Sequence, residues 1–266
     1  MRPTLPAVDG FAAATGLFVG SAVASGLVLS VSATSGVVVG VGLVVALAVW
    51  PVLERFPDRV DTAVATRLHL LPALAAAVAT LVLAALSVLD GTLALPESLH
   101  LPFSLTAFLA LVVGILGAQR RARVVADAER AHALATVTKS RWGEFPLLFV
   151  ESVVVLVTVS VAFGQPYSTL ELGAAAGVSA AMLLFRGRDT YQLVALDSGL
   201  LVRSEDGTPQ RLVPWRQVSR VDTDGGDTLR VRRGLPVPTV YRGDLSSRDD
   251  AREVVDAIRR CRRRGG

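Results

Sequence analysis

The chain has 266 residues, of which 52% belong to the set AVILMFWYC and 19% are charged, a balance too apolar for an ordinary water-soluble protein of this length. Its net charge of +4 is unevenly placed, because seventeen of the 27 basic residues and twelve of the 23 acidic ones lie in residues 186–266. The single cysteine, Cys261, excludes an intrachain disulfide and a cysteine metal cluster, and His69, His100 and His132 are too scattered for metal-ligand spacing, so no cofactor is expected.

In chain order, the N-terminus carries Arg2, then Asp9, then an apolar run too long for the core of a signal peptide. It reads as a retained first span. A spanning helix needs about 20 mostly apolar residues. Six stretches meet that length: 11–29, 36–53, 70–89, 101–118, 145–164 and 169–185. Loops one, three and five contain no Lys or Arg. Loop two holds Arg55, Arg59 and Arg67, and loop four holds Arg120, Arg121, Arg123, Arg130, Lys139 and Arg141. Basic short loops stay on the cytoplasmic side, so this alternation predicts six spans in the plasma membrane with both termini inside. Trp50 and Trp142 fall at span ends, where an amphipathic ring suits the headgroup level.

Within the spans, small residues recur at four-residue spacing, as at Gly16–Gly20, Ser21–Ser25 and Gly36–Gly40, which predicts close helix packing. Ionisable residues away from span ends are few. Glu151, in span five, is the candidate intramembrane polar site; its alternative is a carboxylate satisfied by a neighbouring helix or kept protonated by burial. Loop four, from Arg120 to Arg141, lacks Gly and Pro and reads as a helix, either on the inner membrane surface or extending span four.

After Arg188 the apolar period changes from helical to alternating. YQLVAL, LLVRS, QRLVP, VSRVD, TLRVRR and TVYRG are separated by DSG, EDGTP and DGGD turns and predict six short strands. A closing helix follows, with Ala251, Val254, Val255, Ile258 and Cys261 on one stripe. The fold class is therefore an α-helical polytopic membrane bundle, residues 1–188, followed by a small β-meander barrel with a C-terminal helix, residues 189–266.

The run Val213-Pro214-Trp215, with Val218 and Val221 following at three-residue steps, an arginine-bearing strand and the amphipathic closing helix together resemble the bacterial-type pleckstrin-homology-like (PH-like) domains found after membrane spans. The resemblance covers about 75 residues of the tail. It implies a seven-strand fold, one strand more than the six read here, a structural role for Trp215 and no enzymatic activity. The first hairpin turn, Asp197-Ser198-Gly199, has no basic residue, which argues against specific inositol-phosphate binding. Arg230, Arg232, Arg259, Arg260, Arg262, Arg263 and Arg264 are the candidate contacts for anionic lipid or a partner; the alternative is a solvated face. No aromatic interleaving accompanies them, so no nucleic acid is expected. The function expected is a non-enzymatic membrane protein displaying a cytoplasmic interaction module, which binds a protein partner, another copy of itself or membrane lipids. The rival reading is a small transporter or channel with a regulatory tail.

Overall fold

The computed structural model describes residues 9–30, 35–79, 97–140, 190–224, 228–234, 238–246 and 250–265, with the helical positions 149, 152, 176, 177, 179 and 180. The chain divides into two compact units, Met1–Arg120 with Val153–Leu172, and Arg121–Ser152 with Gly173–Gly266.

The first unit contains α1 (Gly10–Ser30), α2 (Ser35–Arg55), α3 (Pro57–Ala65), α4 (Leu70–Ala79) and the greater part of α5 (Glu97–Ala128). α1, α2 and α5 are each long and apolar enough to cross a bilayer, and α3 with α4, bent by 55°, make a fourth candidate if taken together. Their outward faces are apolar, with Leu29, Val39 and Val44 largely exposed, as helices in contact with lipid require. The expectation of six spans is not met among the described residues. Stretches 11–29, 36–53 and 101–118 fall within α1, α2 and α5, and 70–89 is described only to Ala79. Stretches 145–164 and 169–185 lie almost wholly outside the described residues, as does Glu151.

Polar contacts join α1, α2, α3 and α5 at one end of this unit. Asp9 caps α1, its Oδ1 accepting from Phe11 N at 3.0 Å and Ala12 N at 3.3 Å. Its Oδ2 accepts from Arg120 of α5, whose Nε also donates to Asp61 of α3 at 2.6 Å. Glu54 of α2 accepts from Asp9 N at 3.1 Å and from Trp50 Nε1 at 2.7 Å. Beneath them Phe11, Ala14, Val60, Val64 and Val113 form a shared apolar core. The three acids thus meet an arginine, an indole N–H and backbone N–H donors, and the basic loop two lies at the same end as the start of α1.

α1 and α2 approach through small residues. A Cβ placed on Gly20 would meet Gly42 O and come within 2.9 Å of Ala46 Cβ, and one on Gly16 would lie 2.8 Å from Ala46 O. Among the described residues nothing lies near the Cβ positions of Gly36 and Gly40, so α2 contributes Gly42 and Ala46 to the contact with α1. Gly20→Leu is expected to destabilise the first unit by about 1–3 kcal/mol, because the two backbones must separate. Gly26→Leu, where none of the described residues lies within 4 Å, is the matched control and should be neutral. Melting of both variants in detergent checks this, and equal midpoints would refute the packing argument.

The second unit is a seven-stranded antiparallel sheet closed by a helix. The strands are β1 (Ala133–Lys139), β2 (Thr190–Ala195), β3 (Gly199–Ser204), β4 (Pro209–Pro214), β5 (Val218–Asp224), β6 (Thr228–Arg233) and β7 (Thr239–Asp244), and the helix is α6 (Ala251–Gly265). The sheet order is β4-β3-β2-β1-β7-β6-β5, so two meanders join through β1 and β7, with β4 and β5 as edges. Register shifts at Val202/Arg203 and Val218/Arg220 mark irregularities that help such a sheet curl. The inner face buries Ala135, Val137, Leu193, Leu200, Val213, Trp215, Leu229, Val231 and Tyr241, and α6 adds Val254, Val255, Ile258 and Cys261.

β1 corrects two expectations. Loop four is not helical throughout: α5 stops at Ala128 and residues 133–139 form a strand. The strands among the described residues number seven, and the sheet is not confined to residues 189–266. The segment ALATVTK has threonine and valine at alternate positions, and Ala135 and Val137 are buried while Leu134, Thr136 and Thr138 are exposed. Freedom from Gly and Pro is compatible with a strand as well as with a helix, and β-branched alternation favours the strand once a partner is present. The partner is β2, paired from Ala133↔Ala195 to Thr138↔Thr190. Glu129 and His132 secure the turn into β1: Glu129 Oε2 accepts from Ser198 N at 2.9 Å, and His132 N donates to Ala195 O at 2.9 Å. The last turns of α5 pack on the outer face of the sheet, where Ala122, Val125 and Ala126 meet Val194, Leu196, Leu201 and Leu212. β1 therefore ends at Lys139 and its neighbour in the sheet, β2, begins at Thr190.

Candidate functional site

α6 projects side chains over the edge strand β5, whose one strand neighbour among the described residues is β6. On one face of α6, Asp256, Arg259, Arg262 and Arg263 look across an open groove of about 810 Å³ toward Trp215, Arg216, Val218, Ser219 and Val221. Four arginines against one aspartate make it strongly positive. Two of them bind the strand directly: Arg259 Nε donates to Val221 O at 3.3 Å, and Arg262 Nη2 donates to Ser219 O at 2.6 Å. Ser219 and Val221 are two residues apart, and both carbonyls face the side of β5 that no strand covers among the described residues. An edge strand with free carbonyls is a template for another chain, and here arginine side chains occupy it.

The smaller hollow alongside, about 250 Å³, is lined by Arg220, Asp222, Thr223, Asp224, Arg230 and Arg259. Arg220 Nε is paired with Asp222 Oδ2 at 2.6 Å. Arg259 stands between the two spaces.

The structure thus divides the seven arginines singled out from the sequence. Arg259, Arg262 and Arg263 line the groove, and Arg230 joins Arg259 in the smaller hollow. Arg232 lies on the outer face of β6, opposite Arg220. Arg260 and Arg264 are exposed, line neither space, and lie within electrostatic range of Cys261. Helical geometry makes the division: residues 256, 259 and 263 share one side, and 260 with 264 the next.

Trp215 forms the floor of the groove. It is 1% exposed, and its Nε1–H is shared between Leu196 O at 3.0 Å and Asp197 O at 3.1 Å. The end of α6 presses on it, since a Cβ on Gly265 would collide with the indole ring. Cys261 is buried beside it, and desolvation, reinforced by Asp197, pushes its thiol pKa up against the opposing pull of Arg264 and Arg260. A thiol so held is a packing residue rather than a nucleophile. Among the described residues no group of three His, Cys, Asp or Glu is placed to hold a metal ion.

Sequence reasoning passed over a second constellation. In TLRVRR the alternation that turns Arg230 and Arg232 outward turns Leu229, Val231 and Arg233 inward. Arg233 is 6% exposed and donates to Gln217 Oε1 through Nε at 3.2 Å and Nη2 at 2.8 Å. Arg211 of β4 and Tyr241 of β7 lie within electrostatic range of it. Burial and the neighbouring Arg211 cation push the Arg233 pKa down to about 10. Strand parity alone marks this residue, an arginine in an otherwise apolar row.

Compared with models of known families, with curated proteins and with solved structures, the chain matches none.

Proposed function

We propose that the protein is a non-enzymatic plasma-membrane protein of six spans that displays a cytoplasmic PH-like module, and that the groove between α6 and β5 receives an acidic segment of a partner protein or of a second copy. The observation that carries this reading is the pair of arginine bonds to two carbonyls on the open side of the edge strand. An added acidic strand would hydrogen-bond to β5 and take Arg259 and Arg262 onto its carboxylates, exchanging charge–dipole contacts for charge–charge ones.

Two further observations support the membrane arrangement. A stretch that starts and ends on adjacent strands crosses a bilayer an even number of times, as the two apolar runs at 145–164 and 169–185 would. The basic ends of loops two and four and the start of α1 then share the cytoplasmic side with the sheet. The PH-like resemblance also gains from β1, which raises the strands from the six read in the tail to the seven that the family implies.

A photocrosslinking residue in place of Ser219, in the full-length protein in its own membrane, tests the groove. Adducts with a discrete protein or with a second copy are expected, and the triple variant Arg259→Glu, Arg262→Glu, Arg263→Glu should abolish them. Adducts with lipid alone would replace the acidic segment by anionic headgroups. No adduct, or adducts indifferent to charge reversal, would defeat the reading.

A further inference from the structure

We propose that Arg211 and Arg233 form a receptor for a phosphate group on the inner face of the sheet, at the end where β1 gives way to residue 141. Arg233 is nearly fully buried, and two of its three nitrogens are committed to Gln217. The third, Nη1, is buried and finds no acceptor among the described residues. The charged group acting on it is another cation, Arg211, and no carboxylate among the described residues approaches either guanidinium. A buried charge left without a counter-charge is costly, and proteins ordinarily pair it. This chain does so elsewhere, holding Arg120 with Asp9 and Asp61, and Arg220 with Asp222. Arg203, Arg230 and Arg232 also have an Nε without a partner among the described residues, but all three are only half-buried, so water can serve their remaining donors. Arg233 has no such recourse.

The ligand that completes the site is an oxyanion. A carboxylate offers one planar fork, which a single guanidinium satisfies. Here donors come from separate strands, β4 and β6, and Tyr241 on β7 keeps a neutral hydroxyl because burial raises its pKa. A tetrahedral phosphate presents acceptors in several directions at once. The register locates the site. Arg233 pairs with Thr239, and the adjacent Val240 O accepts Ser140 N at 2.8 Å, so Arg233 lies level with the point where the chain leaves β1. That stretch carries the two apolar runs of the loop-four to tail segment. The phosphate has two possible sources, a phospholipid headgroup or the free ion. The site involves neither α6 nor the outer side of β5, and it does not rest on the reading of the groove.

The test uses the full-length protein. In non-ionic detergent, inorganic phosphate should raise the melting temperature above that in chloride of equal ionic strength. Arg211→Gln, a half-exposed position that leaves the core intact, should weaken the response at least about tenfold, as loss of a charged hydrogen bond does. Arg233→Gln should do the same if it folds, and Arg259→Glu should leave the response unchanged. In nanodiscs of phosphatidylcholine with phosphatidic acid, a headgroup ligand would already occupy the site and remove the phosphate response seen in phosphatidylcholine alone. A free-ion ligand would give the same response in both. No stabilisation by phosphate in detergent together with no difference between the two nanodiscs, or a response that Arg211→Gln retains in full, would overturn the proposal.

Discussion

A chain starting at residue 189 and running to the C-terminus should fail to fold, whereas one in which residues 121–140 are joined by a short Gly/Ser linker to residues 190–266 should melt cooperatively. The first lacks β1, which sits at the centre of the sheet and pairs with both β2 and β7. Without it the sheet falls into two three-stranded pieces, and Ala135 and Val137 vanish from the inner core. The loss includes the hydrogen bonds of two ladders and exceeds what a domain stable by about 5–15 kcal/mol can absorb. The second chain restores the strand, and because Thr138 is paired with Thr190 the linker has only a few residues to span. Circular dichroism and thermal melts of the two chains decide the matter. A cooperative melt from the shorter one would show that β1 is dispensable.

Trp215→Ala should cost about 3–5 kcal/mol through the cavity alone, and further through the shared indole hydrogen bond to Leu196 O and Asp197 O. The ring is the floor on which the end of α6 rests, so the damage spreads from the β2–β3 turn to the helix. Trp215→Phe keeps most of the volume but drops the N–H donor, and should cost about 1–2 kcal/mol. Hydrogen exchange on the full-length protein separates the two effects. In Trp215→Ala, protection should fall across β2–β5 and α6 while α1 and α2 stay protected. Unchanged exchange in the sheet would mean that Trp215 contributes to the groove surface and not to the core.

Both outcomes bear on the groove. Its walls are α6 and β5, and its floor is Trp215. Losing β1 or the indole removes the frame on which Arg259 and Arg262 reach the edge carbonyls. Partner capture should then fail in those variants together with stability, whereas charge reversal on α6 should remove capture alone.

Much of this architecture was legible in the residues. Uninterrupted apolar runs marked α1, α2 and α5, because a helix facing lipid must be apolar all round. Alternation and turn residues marked β2 to β7 within a residue or two, because each strand has one buried face. The stripe from Val254 to Cys261 marked the side of α6 that meets the sheet, and the arginine cluster after it marked where charge would gather. Three features were decided only by the tertiary structure. Residues 133–139 have no turn signal before them and no hydrophobic excess, and they become a strand because β2 and β7 supply partners on both sides. The seven arginines divide because helix pitch turns 259, 262 and 263 toward an edge strand whose identity depends on sheet order, while 260 and 264 face elsewhere. Arg233 is buried because strand parity points it inward at a place where Arg211 arrives from a distant strand. Local pattern determines which residues can be helix or strand. Which strand lies at an edge, and which charges are brought face to face, depends on pairings between segments far apart in the chain, and no local pattern encodes these.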